Sequence, residues 1–188
     1  MCCTGYSYTA IFLSIMIITK TSRLLVRELS VIDAPFILTL TNTPEWLQFI
    51  GDRGIRTIAD AENYILNGPM ASYQKFDHGL YLVLLKERIL PIGICGIIKR
   101  DTLDYKDIGF AFMPMYTGKG YALEAAAAIL QVTSEKLGPQ RIEAITLPSN
   151  TRSIRLLGKL GFVFNRMVRF AGGNEDLMLF ANEAAPLS

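Results

Sequence analysis

Between residues 107 and 137 the spacing of apolar side chains changes period across three residues, Gly118-Lys119-Gly120. Before them, residues 107–113 (DIGFAFM) read as a strand. After them, Leu123, Ala126, Leu130, Thr133 and Leu137 step by three and four along a long helix over 120–137, which Gly138-Pro139 ends. Residues 141–147 then form another strand. A strand, a helix and a strand in succession make a crossover, so the chain must contain a mixed α/β sheet.

The rest of the chain supplies the antiparallel part. Residues 23–29 (RLLVREL) alternate as a first strand, and Ser30 opens a helical stretch over 32–40 with Asp33 in its first turn. Asn42-Thr43-Pro44 breaks it, with one further turn over 45–50. Thr57 to Asp60 is a capping box with aspartate as the acid, opening a helix that places Ala61, Tyr64 and Ile65 on one face. Strand-like runs follow at 79–85 and 89–99, joined by a tight turn at Glu87-Arg88, and a polar turn over 101–106 leads into 107–113. A helix over 150–160 stops at Gly161, and 162–170 pairs with 177–180 as a last antiparallel unit.

The 188 residues suit one domain, 51% of them are hydrophobic, and neither a repeat nor a linker divides them. The domain is expected to span 22–188, with 1–21 as an appendage. Within that appendage, 10–18 (AIFLSIMII) is too short for a membrane helix and lacks the flanks of a signal peptide, which leaves an extra strand or an uncharged arm and no membrane partner. A net charge of +2 without a basic run points away from nucleic acid. Cys2, Cys3, Cys95 and a single histidine, His78, form neither a disulfide framework nor a multi-histidine metal centre, so no metal is expected and a reducing cytoplasm fits. Cys95 lies in an apolar run and reads as a small buried hydrophobe.

The chemistry concentrates at the period change. The first amides of a helix and its macrodipole favour an anion, two glycines let a phosphate approach the backbone, and Lys119 adds positive charge. A P-loop is excluded because Tyr121 stands where Ser or Thr is needed. A dinucleotide fingerprint fails at Leu123.

Two further matches sharpen this reading. Residues 108–125 (IGFAFMPMYTGKGYALEA) resemble motif A of the GNAT acetyltransferases, a pattern Q/R-x-x-G-x-G/A between strand and helix, with Met115 in place of Gln or Arg. Asn150-Thr151-Arg152-Ser153, followed by Leu156-Leu157-Gly158-Lys159-Leu160-Gly161-Phe162, resembles a signature of the ribosomal-protein-alanine acetyltransferase branch of that family. Residues 23–29 resemble its opening strand, so the likeness runs over about 22–180.

That resemblance implies the GNAT fold, a mixed and mostly antiparallel sheet with splayed central strands and flanking helices. It implies acetyl-CoA as cosubstrate and a primary amine as acceptor, either a protein N-terminus or a small molecule, with a homodimer admitted. The cofactor would meet the backbone of Phe112 and Met113, the loop and helix start at Gly118, Lys119, Gly120, Tyr121 and Ala122, and the next helix at Asn150, Ser153 and Arg155. Asn150 reads equally well as a helix cap, and Arg155 as a solvated face. Asp107 resembles the general base of some members and also reads as a turn residue at a strand start. Leu157 stands where many members carry a tyrosine acid, which makes Ser153 the substitute candidate for protonating the thiolate. A module that binds acyl-CoA without catalysis is the alternative. No pattern in 44–73 or in the last two strands spells out the acceptor.

Overall fold

The computed structural model describes residues 16–170 and 175–182. The strands are β1 (Ile17–Lys20), β2 (Leu24–Glu28), β3 (Leu80–Leu85), β4 (Leu90–Ile98), β5 (Lys106–Phe112), β6 (Ile142–Thr146), β7 (Val163–Val168) and β8 (Leu177–Ala181). The helices are α1 (Ala34–Thr41), α2 (Pro44–Phe49), α3 (Ile58–Ile65), α4 (Ala71–Phe76), α5 (Tyr121–Leu137) and α6 (Thr151–Lys159). One eight-stranded sheet runs in the order β1-β2-β3-β4-β5-β6-β8-β7. Every neighbouring pair is antiparallel except β5 and β6, which the α5 crossover makes parallel. This is the mixed, mostly antiparallel sheet that the apolar spacing predicts.

Strand alternation sends side chains to two cores. Cys95 and Ile97 of β4, Ile108 and Phe112 of β5, and Ile142 and Ala144 of β6 pack with α5 and α6. Ile94 of β4 and Ala111 of β5 turn to the other face, against α1 and α3. Cys95 is fully buried in the core beneath α5 and α6 as a free thiol, and desolvation pushes its pKa up to about 12, so it serves as a packing residue.

The structure differs from the sequence reading in two places. The helix from Thr57 runs through Ile65 as the spacing predicts, and beyond it, where the sequence reading assigns no element before residue 79, the chain continues through a π-helical turn, Leu66–Met70, into α4. Pro69 lies inside that turn. A proline has no N–H to give and its ring crowds the preceding turn, and the wider turn makes room for it without ending the helix. The second difference lies at the boundary drawn at residue 21. Ile17–Lys20 pairs with β2, so that boundary falls in the turn joining the two strands, where the Thr21 N–H donates to the Leu24 carbonyl at 2.9 Å. Residues 1–15, which include most of the apolar run, lie outside the described residues. Among the described residues no helix is long and apolar enough to cross a membrane.

Candidate functional site

The parallel pairing of β5 with β6 is short. Lys106 faces Ile142 and Asp107 faces Glu143, after which the strands part. Beyond Asp107, therefore, one edge of β5 has no strand beside it. The ladder with β4 shows which groups line that edge. Met113 N–H donates to the Ile92 carbonyl at 2.9 Å, which makes Met113 and Ile92 a hydrogen-bonded pair. In an antiparallel ladder such pairs alternate, so Ala111 and Gly109 also bond to β4 while Phe110 and Phe112 turn their N–H and C=O groups the other way. The open edge thus carries the backbone of Phe110 and Phe112. Of the two residues expected to meet a cofactor with their backbone, Phe112 lies on this edge, whereas the Met113 N–H is engaged by β4. Phe110 is the addition that register alone reveals.

The gap leads to the loop before α5. Gly118 and Gly120 have φ of 74° and 80°, the left-handed region that glycine enters without strain. Gly120 is the N-cap of α5 and offers no side chain to the first amides of the helix. The amides of Gly120, Tyr121, Ala122 and Leu123 have no partner within the helix either, since the first intrahelical bond is Glu124 N–H to the Gly120 carbonyl, so a row of donors lies at the positive end of the dipole. Such a row fits a pyrophosphate. Lys119 is exposed, with its ammonium 5.5 Å from the Tyr116 ring.

A clamp from the β1–β2 turn steadies this loop, and the sequence carries no local sign of it. Arg23 donates to the Lys119 carbonyl at 3.1 Å, lies 4.5 Å from the centre of the Tyr121 ring, and forms an ion pair of 2.6 Å with Glu124. The Thr21 hydroxyl and the Arg23 amide also donate to Glu124. Burial raises the Glu124 pKa, but the hydrogen bonds from Thr21 and Arg23 together outweigh it and hold the carboxyl below its ordinary 4.5. A carboxylate lowered on folding adds stability above pH 4.5 and loses it as pH falls through the folded pKa. Glu124→Gln is therefore expected to cost on the order of 1 kcal/mol at neutral pH, a figure kept small because Arg23 is half exposed. Melting curves of variant and parent should differ by roughly 2–4 °C at pH 7 and converge in acid.

At the closed end of the gap lies Asp107, 1% exposed. Arg100 Nε donates to both its oxygens, at 3.0 and 3.1 Å. Burial raises the Asp107 pKa above the usual 3.8, the Arg100 charge and hydrogen bonds oppose this, and the neighbouring Glu143 adds repulsion in the raising direction. Asp107 thus combines the two features a base needs, a carboxylate and an environment that favours taking up a proton.

Across the gap, α6 begins at Asn150, whose Oδ1 accepts from the Ser153 amide at 3.1 Å. The cap reading of Asn150 therefore holds, and its side-chain NH2 is left over for another partner. Ser153 is half-buried in the first turn. Arg155 is exposed and folds back onto Thr151, at 3.2 Å to its carbonyl. Leu157 is buried in the core under α6. On the α3 side, a cleft of about 320 Å³ opens between Tyr64, Asn67, Ser72, Phe76, Ile98 and Lys99. Ile98 is the register partner of Asp107 on β4, so this cleft borders the closed end of the gap.

The family model described as "Acetyltransferase (GNAT) domain" matches residues 23–163. The uncharacterized N-acetyltransferase YnaD of Bacillus subtilis is 31% identical over 141 residues, which is 75% of this chain and 79% of that protein. A GNAT-family acetyltransferase from Bacillus anthracis superposes with a TM-score of 0.73 at 28% identity, over 88% of this chain and 97% of the other. The ribosomal L7/L12 α-N-protein acetyltransferase RimL, solved with coenzyme A, has the same fold with a TM-score of 0.72 at 14% identity, over 89% of this chain and 97% of that one.

Proposed function

The chain belongs to the GNAT acetyltransferase family and is an acetyl-CoA-dependent N-acetyltransferase, and from that premise we propose that it acetylates a primary amine by direct attack. The acceptor is a protein N-terminus or a small molecule. Family membership displaces the alternative of a binding module without catalysis. The observation that carries the reading is the unpaired edge of β5, closed at one end by Asp107 and opening at the other onto the amide row before α5.

The residues divide the work along that edge. The amides at Gly118 to Ala122 and the charge of Lys119 hold the pyrophosphate. The backbone of Phe112 and the side-chain NH2 of Asn150 hold the arm that lies in the gap, and Arg155 adds positive charge at the rim. Acetyl-CoA supplies the activated acetyl carbonyl. Asp107 takes the proton that the attacking nitrogen must lose. The N–H of Phe110 faces the region where negative charge develops on the carbonyl oxygen. Ser153 returns a proton to the sulfur as the carbon–sulfur bond breaks. We assign the cytoplasm as compartment, a reading supported by the free thiol at Cys95.

Two measurements test this. A ligand bound only by the native state adds roughly 2.7 kcal/mol at a hundredfold excess over Kd, which raises Tm by roughly 5–10 °C in a chain of this size. Unchanged melting at millimolar acetyl-CoA removes the cofactor assignment. Release of free thiol from acetyl-CoA is then measured with spermidine, benzylamine and an alanine-initiated hexapeptide. No release above the rate without amine removes the acceptor assignment.

A further inference from the structure

The helix by itself does not hold the whole amide row before α5 in place. The first intrahelical bond, Glu124 N–H to the Gly120 carbonyl at 3.0 Å, fixes the peptide plane that carries the Tyr121 N–H. The plane before it, from Lys119 to Gly120, lies outside that ladder. Its carbonyl accepts from Arg23 Nη1 at 3.1 Å, across 96 positions of sequence. The rest of the guanidinium is itself fixed. Nε and Nη2 both lie 2.6 Å from Glu124 Oε2, and the guanidinium carbon lies 4.5 Å from the centre of the Tyr121 ring. The Arg23 amide and the Ser22 hydroxyl hold the other Glu124 oxygen, at 3.1 and 3.3 Å. A planar fork with two of its nitrogens on one carboxylate leaves the third a set direction.

That direction determines how one amide points. In a trans peptide the C=O of one residue and the N–H of the next point opposite ways, and the described residues contain no cis peptide. With the Lys119 carbonyl drawn toward the β1–β2 turn, the Gly120 N–H is turned away from that turn. β2 lies on one side of β5 and the open edge on the other, so this N–H is directed to the side where the gap opens. Without the tie the plane rotates at little cost, because Gly120, at a φ of 80°, tolerates either sign of φ. A half-turn puts a carbonyl oxygen, which repels an anion, where the donor stood. We propose that Arg23 is a positioning residue for the cofactor, locking the Lys119–Gly120 peptide with its N–H toward the pyrophosphate. The inference rests on the proposed phosphate site before α5. It adds the group that keeps this site a donor site, a side chain from the far side of the sheet rather than from the loop itself.

Arg23→Met keeps the length of the side chain and its contact with Tyr121 and removes the donors. It is expected to raise the Kd for acetyl-CoA on the order of tenfold in titration calorimetry, the worth of one charge-assisted hydrogen bond. The kcat at saturating acetyl-CoA should stay within about twofold, since the phosphates are bound alike in ground and transition state. S-acetylpantetheine has the reactive arm and no phosphate, so its kcat/KM for thiol release with benzylamine should also stay within about twofold. Arg23→Lys separates position from charge. An ammonium on a flexible stem has no fork to hold a carboxylate and a carbonyl together, so this variant should show most of the same loss. An unchanged Kd in Arg23→Met overturns the proposal. A parent-like Kd in Arg23→Lys overturns it too, because charge alone then suffices. An equal loss with S-acetylpantetheine overturns it as well, by making Arg23 a support of the whole domain. If the parent handles acetyl-CoA no better than S-acetylpantetheine, the phosphate assignment fails first and this inference falls with it.

Discussion

Asp107→Asn is expected to lower kcat on the order of a hundredfold with a saturating amine, the usual scale for loss of a general base, and to leave acetyl-CoA binding unchanged. The amide keeps the size of the carboxyl and can still accept the hydrogen bond that Arg100 Nε donates at about 3 Å. What it cannot do is take a proton. Its distance from the loop before α5 follows from the strand: Asp107 is the second residue of β5 and the amide row lies beyond the far end of that strand. The pH profile gives a second readout. Burial and the charge of Glu143 raise the Asp107 pKa above 3.8 in the folded enzyme. A base works only when deprotonated, so the parent loses activity as pH falls through that raised pKa, above the range of an ordinary aspartate. The variant should lack this acidic limb and recover rate at high pH, where free amine is abundant. The sign for stability is opposite to that of Glu124, because burial of Asp107 outweighs its pairing with Arg100. The folded state holds the Asp107 proton more tightly than the unfolded chain does, so its contribution to stability declines as pH rises from 3.8 through the folded pKa. A variant that melts like the parent, binds acetyl-CoA and keeps full kcat at neutral pH would reduce Asp107 to a packed partner of Arg100.

Gly120→Val is expected to weaken acetyl-CoA binding on the order of a hundredfold. The φ of 80° at this position costs a β-branched residue at least 1–2 kcal/mol. A side chain there also meets Arg23, since even a Cβ would lie 3.3 Å from its Nη2. The loop relieves both by rotating, and rotation turns the Gly120 and Tyr121 amides away from a common focus. Losing one charge-assisted hydrogen bond in addition to the strain brings the total to about 3 kcal/mol, which is the hundredfold. Gly158→Ala serves as the control. Gly158 lies within α6, a Cβ there meets nothing within 4 Å, and alanine favours the helix. The control should bind acetyl-CoA like the parent and melt at the same temperature or slightly higher. Titration calorimetry separates the cases, and an unchanged Kd for Gly120→Val would mean that the amide row is not the phosphate site.

The elements and the glycine loop before α5 were legible in the sequence because their causes are local. Apolar spacing over 107–137, the glycines at 118 and 120, and the cap at Asn150 each act within a few residues of themselves, and β5, α5 and α6 lie within a residue or two of where the spacing puts them. The π-helical turn around Pro69 has no such local sign, because whether a helix widens around a proline depends on what packs against it. The buried charge of Glu143 left only a faint mark, a glutamate inside the apolar run Ile142 to Ile145. Its meaning depends on facing Asp107, 36 positions earlier, and that pairing exists only because α5 carries the chain back to lay β6 beside β5. The choice between Phe110 and Met113 as edge-facing backbone is likewise a matter of register with β4, in which one step exchanges the bonded and the open side of a strand. The clamp of Arg23 on Glu124 joins residues 101 apart. The sequence by itself determined the fold class, the crossover and the glycine loop that opens α5, since each follows from neighbours along the chain. Which carboxylates meet, which backbone groups stay open and what steadies the loop were decided by the tertiary structure, because register and proximity across the sheet are set by the packing of both cores at once.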